Sequence, residues 1–231
     1  MNASFPRIHT MKTTIVRLTR VITLLIATSF ASEAAVSINN LGVGTQSSSQ
    51  SLSGPLATSG FFGNPFPDRQ VAFSFTTGNS QSYLNNLEFA IAIGGGTIAP
   101  ILATLSTGTL VPGGLNPITL GTVTPASSSP INQILSIIPA NAPLLEANTL
   151  YWIHYTVPAG NALYSIANSN APIVDPEWTL GTSWSSTPIS PWSELSSGPV
   201  PRIRMTVTPI PEPVTSLLGG IGFLLLLRRQ R

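Results

Sequence analysis

Apolar and polar residues alternate over short runs through most of this chain. In residues 87–93, four large apolar side chains alternate with Glu88 and two alanines. Because successive side chains of a β-strand point to opposite faces, this period of two predicts a strand with one buried face. No stretch between residues 35 and 210 keeps an apolar period of 3.6 residues, so we expect helices there to be short or absent.

Similar runs recur between breaks rich in glycine, proline, serine and asparagine. The chain holds 19 glycines and 21 prolines, residues that interrupt long helices. The pattern predicts an all-β fold, an antiparallel β-sandwich or jelly roll formed by residues 35–208. The polar segment 45–51 is predicted to be an exposed loop. The predicted strands are 71–76, 87–93, 101–106, 118–124, 134–138, 150–157, 162–167, 177–180 and 203–208.

Residues 1–34 have the layout of a secretory signal peptide. A basic region precedes the apolar run 21–27, and Ser32 and Ala34 occupy positions that favour a cut after Ala34. The pattern predicts Sec-type export and a mature chain that begins at Ala35. The apolar run is shorter than the roughly 20 residues of a spanning helix, which disfavours a retained N-terminal anchor. Met11 is an alternative start, because it begins a more compact signal sequence.

Residues 209–231 combine three features in a fixed order. Pro211, Glu212 and Pro213 come first, residues 214–227 carry no charge, and Arg228, Arg229 and Arg231 follow. The uncharged segment predicts a transmembrane helix, although at 1.5 Å per residue it rises only about 21 Å against a hydrocarbon core of about 30 Å. The terminal arginines favour the cytoplasmic side, which leaves residues 35–208 outside the cell membrane.

This order of motif, apolar helix and arginine cluster resembles the PEP-CTERM sorting signal of exosortase substrates, which also carry a signal peptide. The resemblance implies that an exosortase transiently binds Pro211, Glu212 and Pro213 in the inner membrane and removes the tail. Hydropathy alone leaves an uncleaved C-terminal anchor as the alternative. More loosely, residues 84–93 and 145–153 resemble stretches of choice-of-anchor extracellular domains, which implies an exported β-domain of unassigned activity.

Charge and cysteine content exclude several kinds of partner and site. The chain has no cysteine, which rules out disulfide scaffolds and thiolate chemistry. Between residues 35 and 210 only Arg69, Arg202 and Arg204 are lysine or arginine, too few for a nucleic-acid partner. His154 shows no accompanying nucleophile motif or orienting acid, and one histidine does not make a metal site. We therefore predict no enzymatic activity, no cofactor and no metal.

The acidic residues leave two alternatives open. Asp175 and Glu177 could contribute oxygen ligands to a calcium site, but they lack the repeated spacing of a dedicated loop, so a solvated turn is favoured. Glu88, Glu146 and Glu194 could supply the two carboxyl groups of a glycosidase, whose separation a sequence does not give.

Trp178, Trp184 and Trp192 fall within fifteen residues among serine, threonine and proline. Exposed tryptophans offer flat apolar faces to sugar rings, so these three are the candidate ligand-binding residues for an extracellular polysaccharide. Burial in the core is the alternative, because large aromatic side chains are usually mostly buried.

Low charge and the absence of lysine between residues 35 and 210 also predict self-association, since lysine is a common block against pairing at sheet edges. Taken together, the patterns predict a non-enzymatic protein of the cell surface or biofilm matrix. Its body is expected in the periplasm, anchored to the inner membrane until processing. A carbohydrate-binding module that uses the tryptophan-rich segment is the alternative.

Overall fold

The computed structural model describes residues 34–41, 46–57, 68–108, 111–112, 116–126, 133–169, 173–187, 190–194 and 200–210, together with 219, 220 and 222. The chain divides into two compact units. One is Ala34–Ile210, which contains every described strand. The other combines Met1–Glu33 with Pro211–Arg231, and its three described residues are glycines in helical conformation.

Fifteen strands are described, and they form two antiparallel sheets, so the predicted all-β fold is confirmed for this part of the chain. The strands are β1 (Ala35–Asn39), β2 (Gln46–Ser53), β3 (Gln70–Thr76), β4 (Ser82–Gly95), β5 (Ile101–Thr107), β6 (Ile118–Val123), β7 (Gln133–Ile137), β8 (Leu144–Leu145), β9 (Leu150–Thr156), β10 (Leu163–Ser169), β11 (Ile173–Val174), β12 (Thr179–Thr187), β13 (Ser190–Glu194), β14 (Val200–Pro201) and β15 (Ile203–Pro209).

The first sheet has the order β11-β1-β15-β4-β10-β14, with β2 paired to β10, and β7 and β8 paired to β4. The second sheet has the order β13-β12-β3-β9-β5-β6. Neighbouring strands are mostly distant in sequence, so the fold depends on long-range pairing. The inner faces of both sheets contribute to one hydrophobic core, the arrangement of a β-sandwich.

Strand β4 pairs with four other strands of the first sheet, and its sequence determines which of its side chains face the core. Leu87, Phe89 and Ile91 alternate onto the core face and are fully buried, as the period of two predicts. Leu84 is also fully buried although it lies three residues before Leu87. A register shift in the pairing with β15 leaves Asn85 as an extra residue, which returns Leu84 to the core face.

The first and last strands of the sandwich lie side by side. Ala35 at the start of β1 pairs with Val207 near the end of β15. The backbone N–H of Ile210 donates a hydrogen bond to the carbonyl of Gln81, at a distance of 2.8 Å. Both ends of the Ala34–Ile210 unit are therefore held at the same end of the first sheet.

Two predictions about strands were wrong. Segment 45–51 was expected to be a loop, but β2 occupies most of it and pairs with β10 from Gln46 to Ser53. The strand expected at 177–180 instead runs from Thr179 to Thr187, because Glu177 lies in a turn that Asp175 stabilises. The short strand β1 was not predicted, and it pairs with β11 and β15, which lie far along the chain.

Candidate functional site

The outer face of the second sheet carries a cluster of aromatic side chains, here called the aromatic patch: Trp152, His154, Trp184 and Trp192. Trp152 and His154 alternate along β9 with the core residues Tyr151, Ile153 and Tyr155, so they point away from the core. The register places His154 opposite Ala72 of β3, and Ala72 opposite Trp184 of β12. Three adjacent strands thus present this face.

Edge-to-face contacts hold the aromatic patch together. The rings of Trp152 and Trp184 lie 6.1 Å apart at an interplanar angle of 89°. The Trp192 side chain extends back from β13 until its ring lies 5.6 Å from that of His154, at 73°. Trp152 is buried, whereas Trp184 and Trp192 are half-buried. Two partly accessible indole rings therefore lie on a shared outer face, in contact with Trp152 and His154.

His154 acts as a neutral packing residue in this arrangement. Its Nε2 lies 2.9 Å from the hydroxyl oxygen of Ser106. Burial lowers the pKa of His154 from 6.5 to about 4, so the ring is uncharged at neutral pH. The Ser106 side chain is itself buried, and a nucleophile must reach its substrate. The pair resembles a base and a nucleophile in distance, but its position is that of a satisfied polar contact.

Trp178, the third predicted tryptophan, lies elsewhere. It packs in the core, where its ring stacks on Phe75 at 5.8 Å, and Phe75 stacks in turn on Tyr151 at 5.6 Å. Its exposed fraction is 8%. The structure therefore brings Trp184 and Trp192 together on the outer face and separates Trp178 from them.

An open cleft of about 480 Å³ lies at the end of the sandwich where β1 starts and β15 ends. Its lining includes Ser37 and Ser82 from the first sheet, together with the turn Asp175–Glu177 and the edge of Trp178. The backbone N–H of Glu177 donates to the Asp175 carboxylate at 3.0 Å, and the backbone N–H of Trp178 donates to the Asp175 carbonyl at 2.8 Å. These bonds form the turn that crosses from one sheet to the other.

Gly78 permits this turn to pack against the loop before β4. A Cβ atom at residue 78 would lie 2.9 Å from the Cβ of Glu177 and 3.1 Å from both Glu177 Oε2 and Trp178 Nε1. No ordinary side chain fits there without displacing the carboxylate and the indole. Glu177 also accepts a weak hydrogen bond of 3.4 Å from the backbone N–H of Asn79. The cleft thus has two carboxylates held at its rim.

The other acidic candidates have separate surroundings. Glu88 forms an ion pair with Arg204 across the β4–β15 pair, including a hydrogen bond of 2.7 Å. Glu146 accepts a hydrogen bond from the Gln81 side chain, and Glu194 is exposed at the end of β13. In the described ranges, no three histidine, cysteine or acidic side chains approach closely enough to hold a metal ion. Asp175 and Glu177 thus have no third acidic neighbour there.

Several predicted segments lie outside the described residues: the sorting residues Pro211, Glu212 and Pro213, the arginines that end the chain, and the signal peptide 1–34 apart from Ala34. So does the predicted helix 214–227, apart from its three glycines. None of the residues that the structure does describe belongs to a helix long and apolar enough to cross a membrane.

No family model matches the chain, and no curated protein matches it.

The residues missed at the sequence level are Trp152 in the aromatic patch and Ser82 and Gly78 in the cleft. The spacing of Trp152 and His154 on one strand already indicates a shared face, so that pair was open to prediction. Gly78 and Ser82 meet Glu177 only through the fold, and no local signal identifies them.

Proposed function

We propose that this is an exported structural protein of the cell surface or extracellular matrix, delivered by its N-terminal leader and released by cleavage near Pro211–Pro213. In this proposal the helix 214–227 anchors the precursor in the inner membrane, with the arginines at the end of the chain on the cytoplasmic side. An exosortase is the transient partner. The body itself catalyses no reaction and associates with matrix polysaccharide or with further copies of itself.

The observation that carries this proposal is the agreement between the limits of the sandwich and the two expected processing positions. The unit Ala34–Ile210 has its first strand at Ala35, the residue that follows the expected leader cut. Among the described residues of this unit, Ile210, directly before Pro211, makes the hydrogen bond nearest the C-terminal end. Cleavage at both positions would therefore keep every described strand in the released product.

The test is expression of the full-length chain in two matched bacterial hosts, one with an exosortase and one without. We expect intact-mass spectrometry of the surface fraction to show a product that begins at Ala35 and ends close to residues 211–213 in the first host only. The variant Glu212→Ala serves as the control, and it should keep its C-terminal tail in both hosts. A surface product that retains Arg231 in the exosortase-containing host would contradict the proposal.

Binding of polysaccharide through the aromatic patch is the second candidate function. Its support is the pair of half-buried, partly accessible indoles on one outer face. Tryptophan rings present a flat apolar surface with a polar N–H at one end, which suits the apolar face of a sugar ring. The Nε1 of Trp184 is already bonded to Thr182 at 2.9 Å, which fixes the ring orientation.

The double variant Trp184→Ala/Trp192→Ala tests this function. We expect it to lose retention on matrix polysaccharide while keeping the circular dichroism spectrum of the parent protein. The matched control is Tyr83→Ala, because Tyr83 is an exposed aromatic residue on the first sheet. If the folded double variant is retained as strongly as the parent, the aromatic patch is not the binding surface.

A further inference from the structure

The cleft at the end of the sandwich contains a buried polar group that has no hydrogen-bond partner among the described residues. The Ser82 side chain is 2% exposed, and its hydroxyl oxygen has no hydrogen-bond partner among the described residues. A buried hydroxyl without a partner is destabilising, because its bonds to water are lost on folding and not replaced. Such a group at the wall of an open cleft indicates a place where a ligand can complete the bonding.

The Trp178 indole supplies a hydrogen-bond donor at the same cleft. Its ring is fixed by stacking on Phe75, and its Nε1 lies beside Gly78 at the cleft. No hydrogen bond from this nitrogen is formed to any residue in the described ranges. Core stacking therefore holds a hydrogen-bond donor in place at the cleft wall while the ring itself stays buried.

Charge defines which ligands suit the cleft. Asp175 and Glu177 are the charged residues of the lining, and neither has an ion-pair partner in the described part of the chain. Anionic ligands are therefore disfavoured by repulsion. A metal ion or an ammonium group would suit the carboxylates, but neither can accept a hydrogen bond from the Trp178 N–H. Calcium in addition requires six to eight oxygen ligands, and two carboxylates supply few of them.

The chemistry that satisfies all three kinds of group is a neutral molecule with several hydroxyls. A sugar hydroxyl can donate to a carboxylate and accept from an indole N–H or a serine hydroxyl at the same time. Hydrogen bonds to a charged carboxylate are also stronger than those between neutral groups. The apolar parts of the lining, which include Val207, Pro209 and Pro176, suit the C–H face of a sugar ring. A cleft of about 480 Å³ has room for one or two sugar units.

We propose that this cleft binds a single neutral sugar unit, with Asp175 and Glu177 accepting its hydroxyls and with Trp178 and Ser82 completing the bonding. This site is distinct from the aromatic patch, and it does not require Trp184 or Trp192. It also stands independently of the leader and of the C-terminal tail. It extends the second candidate function, because the cleft would bind one sugar unit while the flat aromatic patch would bind a polysaccharide chain.

The test is saturation-transfer NMR with the protein purified in the form that the cell delivers. The probes are the methyl glycosides of glucose, galactose and mannose, with N-acetylglucosamine as a fourth. We expect at least one probe to bind with a dissociation constant of about 1–10 mM, typical of a few directional bonds. The variant Asp175→Asn/Glu177→Gln keeps the shape of the cleft and should weaken that binding at least about tenfold, because two charged acceptors are lost.

Two further variants separate ligand binding from folding. Trp178→Phe keeps the stack on Phe75 but removes the N–H, and we expect it to weaken the sugar about tenfold without unfolding the protein. Ser82→Ala removes the unpaired hydroxyl, so it should raise the melting temperature of the free protein and weaken the sugar at the same time. Opposite changes in stability and affinity are expected if the Ser82 hydroxyl has no partner in the free protein and bonds to the sugar in the complex.

Glu194→Gln and Trp184→Ala/Trp192→Ala are the matched controls, and both should bind the small probe as the parent does. The proposal is overturned if none of the four probes binds the parent, or if the cleft variants bind the probe unchanged. It is also overturned if calcium chloride alone stabilises the parent but not Asp175→Asn/Glu177→Gln while the sugars have no effect. If only the Trp184→Ala/Trp192→Ala variant loses binding of the small probe, sugar binding is assigned to the aromatic patch instead.

Discussion

Two buried tyrosines in this sandwich differ in whether their hydroxyl groups form hydrogen bonds. The Tyr164 hydroxyl donates to the Ala99 carbonyl at 2.6 Å and accepts from the Ala99 N–H at 2.8 Å. The Tyr155 hydroxyl is fully buried and has no partner among the described residues, and its ring packs against Phe89 at 4.5 Å. Burial raises the pKa of Tyr155 well above its usual value of 10.0. One hydroxyl therefore stabilises the core, and the other costs free energy.

The same substitution, tyrosine to phenylalanine, should consequently change stability in opposite directions. An unpaired buried hydroxyl costs about 1–3 kcal/mol, so Tyr155→Phe should raise the free energy of unfolding by about 1 kcal/mol after the loss of packing around the oxygen. Tyr164→Phe removes two hydrogen bonds and leaves both polar groups of Ala99 unpaired, which should lower it by about 2–3 kcal/mol. For a domain of this size each 1 kcal/mol moves the melting temperature by about 2–4 °C.

The assay is chemical and thermal unfolding of the two variants and their parent at pH 7, followed by tryptophan fluorescence. Both variants should unfold in a single transition, with the melting temperature of Tyr155→Phe above that of the parent and that of Tyr164→Phe below it. If Tyr155→Phe destabilises the protein as much as Tyr164→Phe, the Tyr155 hydroxyl has a partner in solution, and the reasoning from buried unpaired groups fails.

Two more predictions concern acid stability and a tight turn. Because the pKa of His154 is lowered to about 4, the unfolded chain takes up a proton first as the pH falls below about 6.5. Stability should decline by about 2–3 kcal/mol between pH 6.5 and pH 4, and His154→Gln should reduce this slope in pH-dependent melting curves. At Gly96, where φ is +74° and a Cβ would lie 2.0 Å from the Asn161 carbonyl oxygen, alanine should cost at least about 2 kcal/mol. Denaturant unfolding measures this loss, and a loss below about 1 kcal/mol would exclude the steric clash.

The fold class was predictable because the information for it is local. In β4 and β15, alternating apolar residues give the buried face directly, and the structure buries Phe89, Ile91, Ile203 and Met205 completely. Strand β2 was not predictable in this way. Its sequence, QSSSQSLS, holds one large apolar residue, and its strand conformation depends on backbone pairing with β10, more than one hundred residues later.

The candidate sites likewise contain features that the local sequence predicts and features that depend on long-range contacts. The shared face of Trp152 and His154 follows from their spacing of two, but the contact of Trp192 with His154 depends on how β13 places its side chain across the sheet. In the cleft, Asn79 and Glu177 are separated by 98 residues along the chain. No property of either segment alone indicates that they meet. Sequence patterns identify faces of strands, whereas clefts between connections are products of topology.

This division changes how the three tryptophans must be tested. The sequence groups Trp178 with Trp184 and Trp192, yet only the last two lie on the outer face, and Trp178 is part of the stack with Phe75 and Tyr151. Replacing a buried tryptophan by alanine costs about 3–5 kcal/mol, a large share of the stability of an ordinary domain. A triple alanine variant would lose polysaccharide binding by unfolding, whatever its surface does. Phenylalanine at residue 178 and alanine at residues 184 and 192 keep the core intact, so each loss of binding can be assigned to one site.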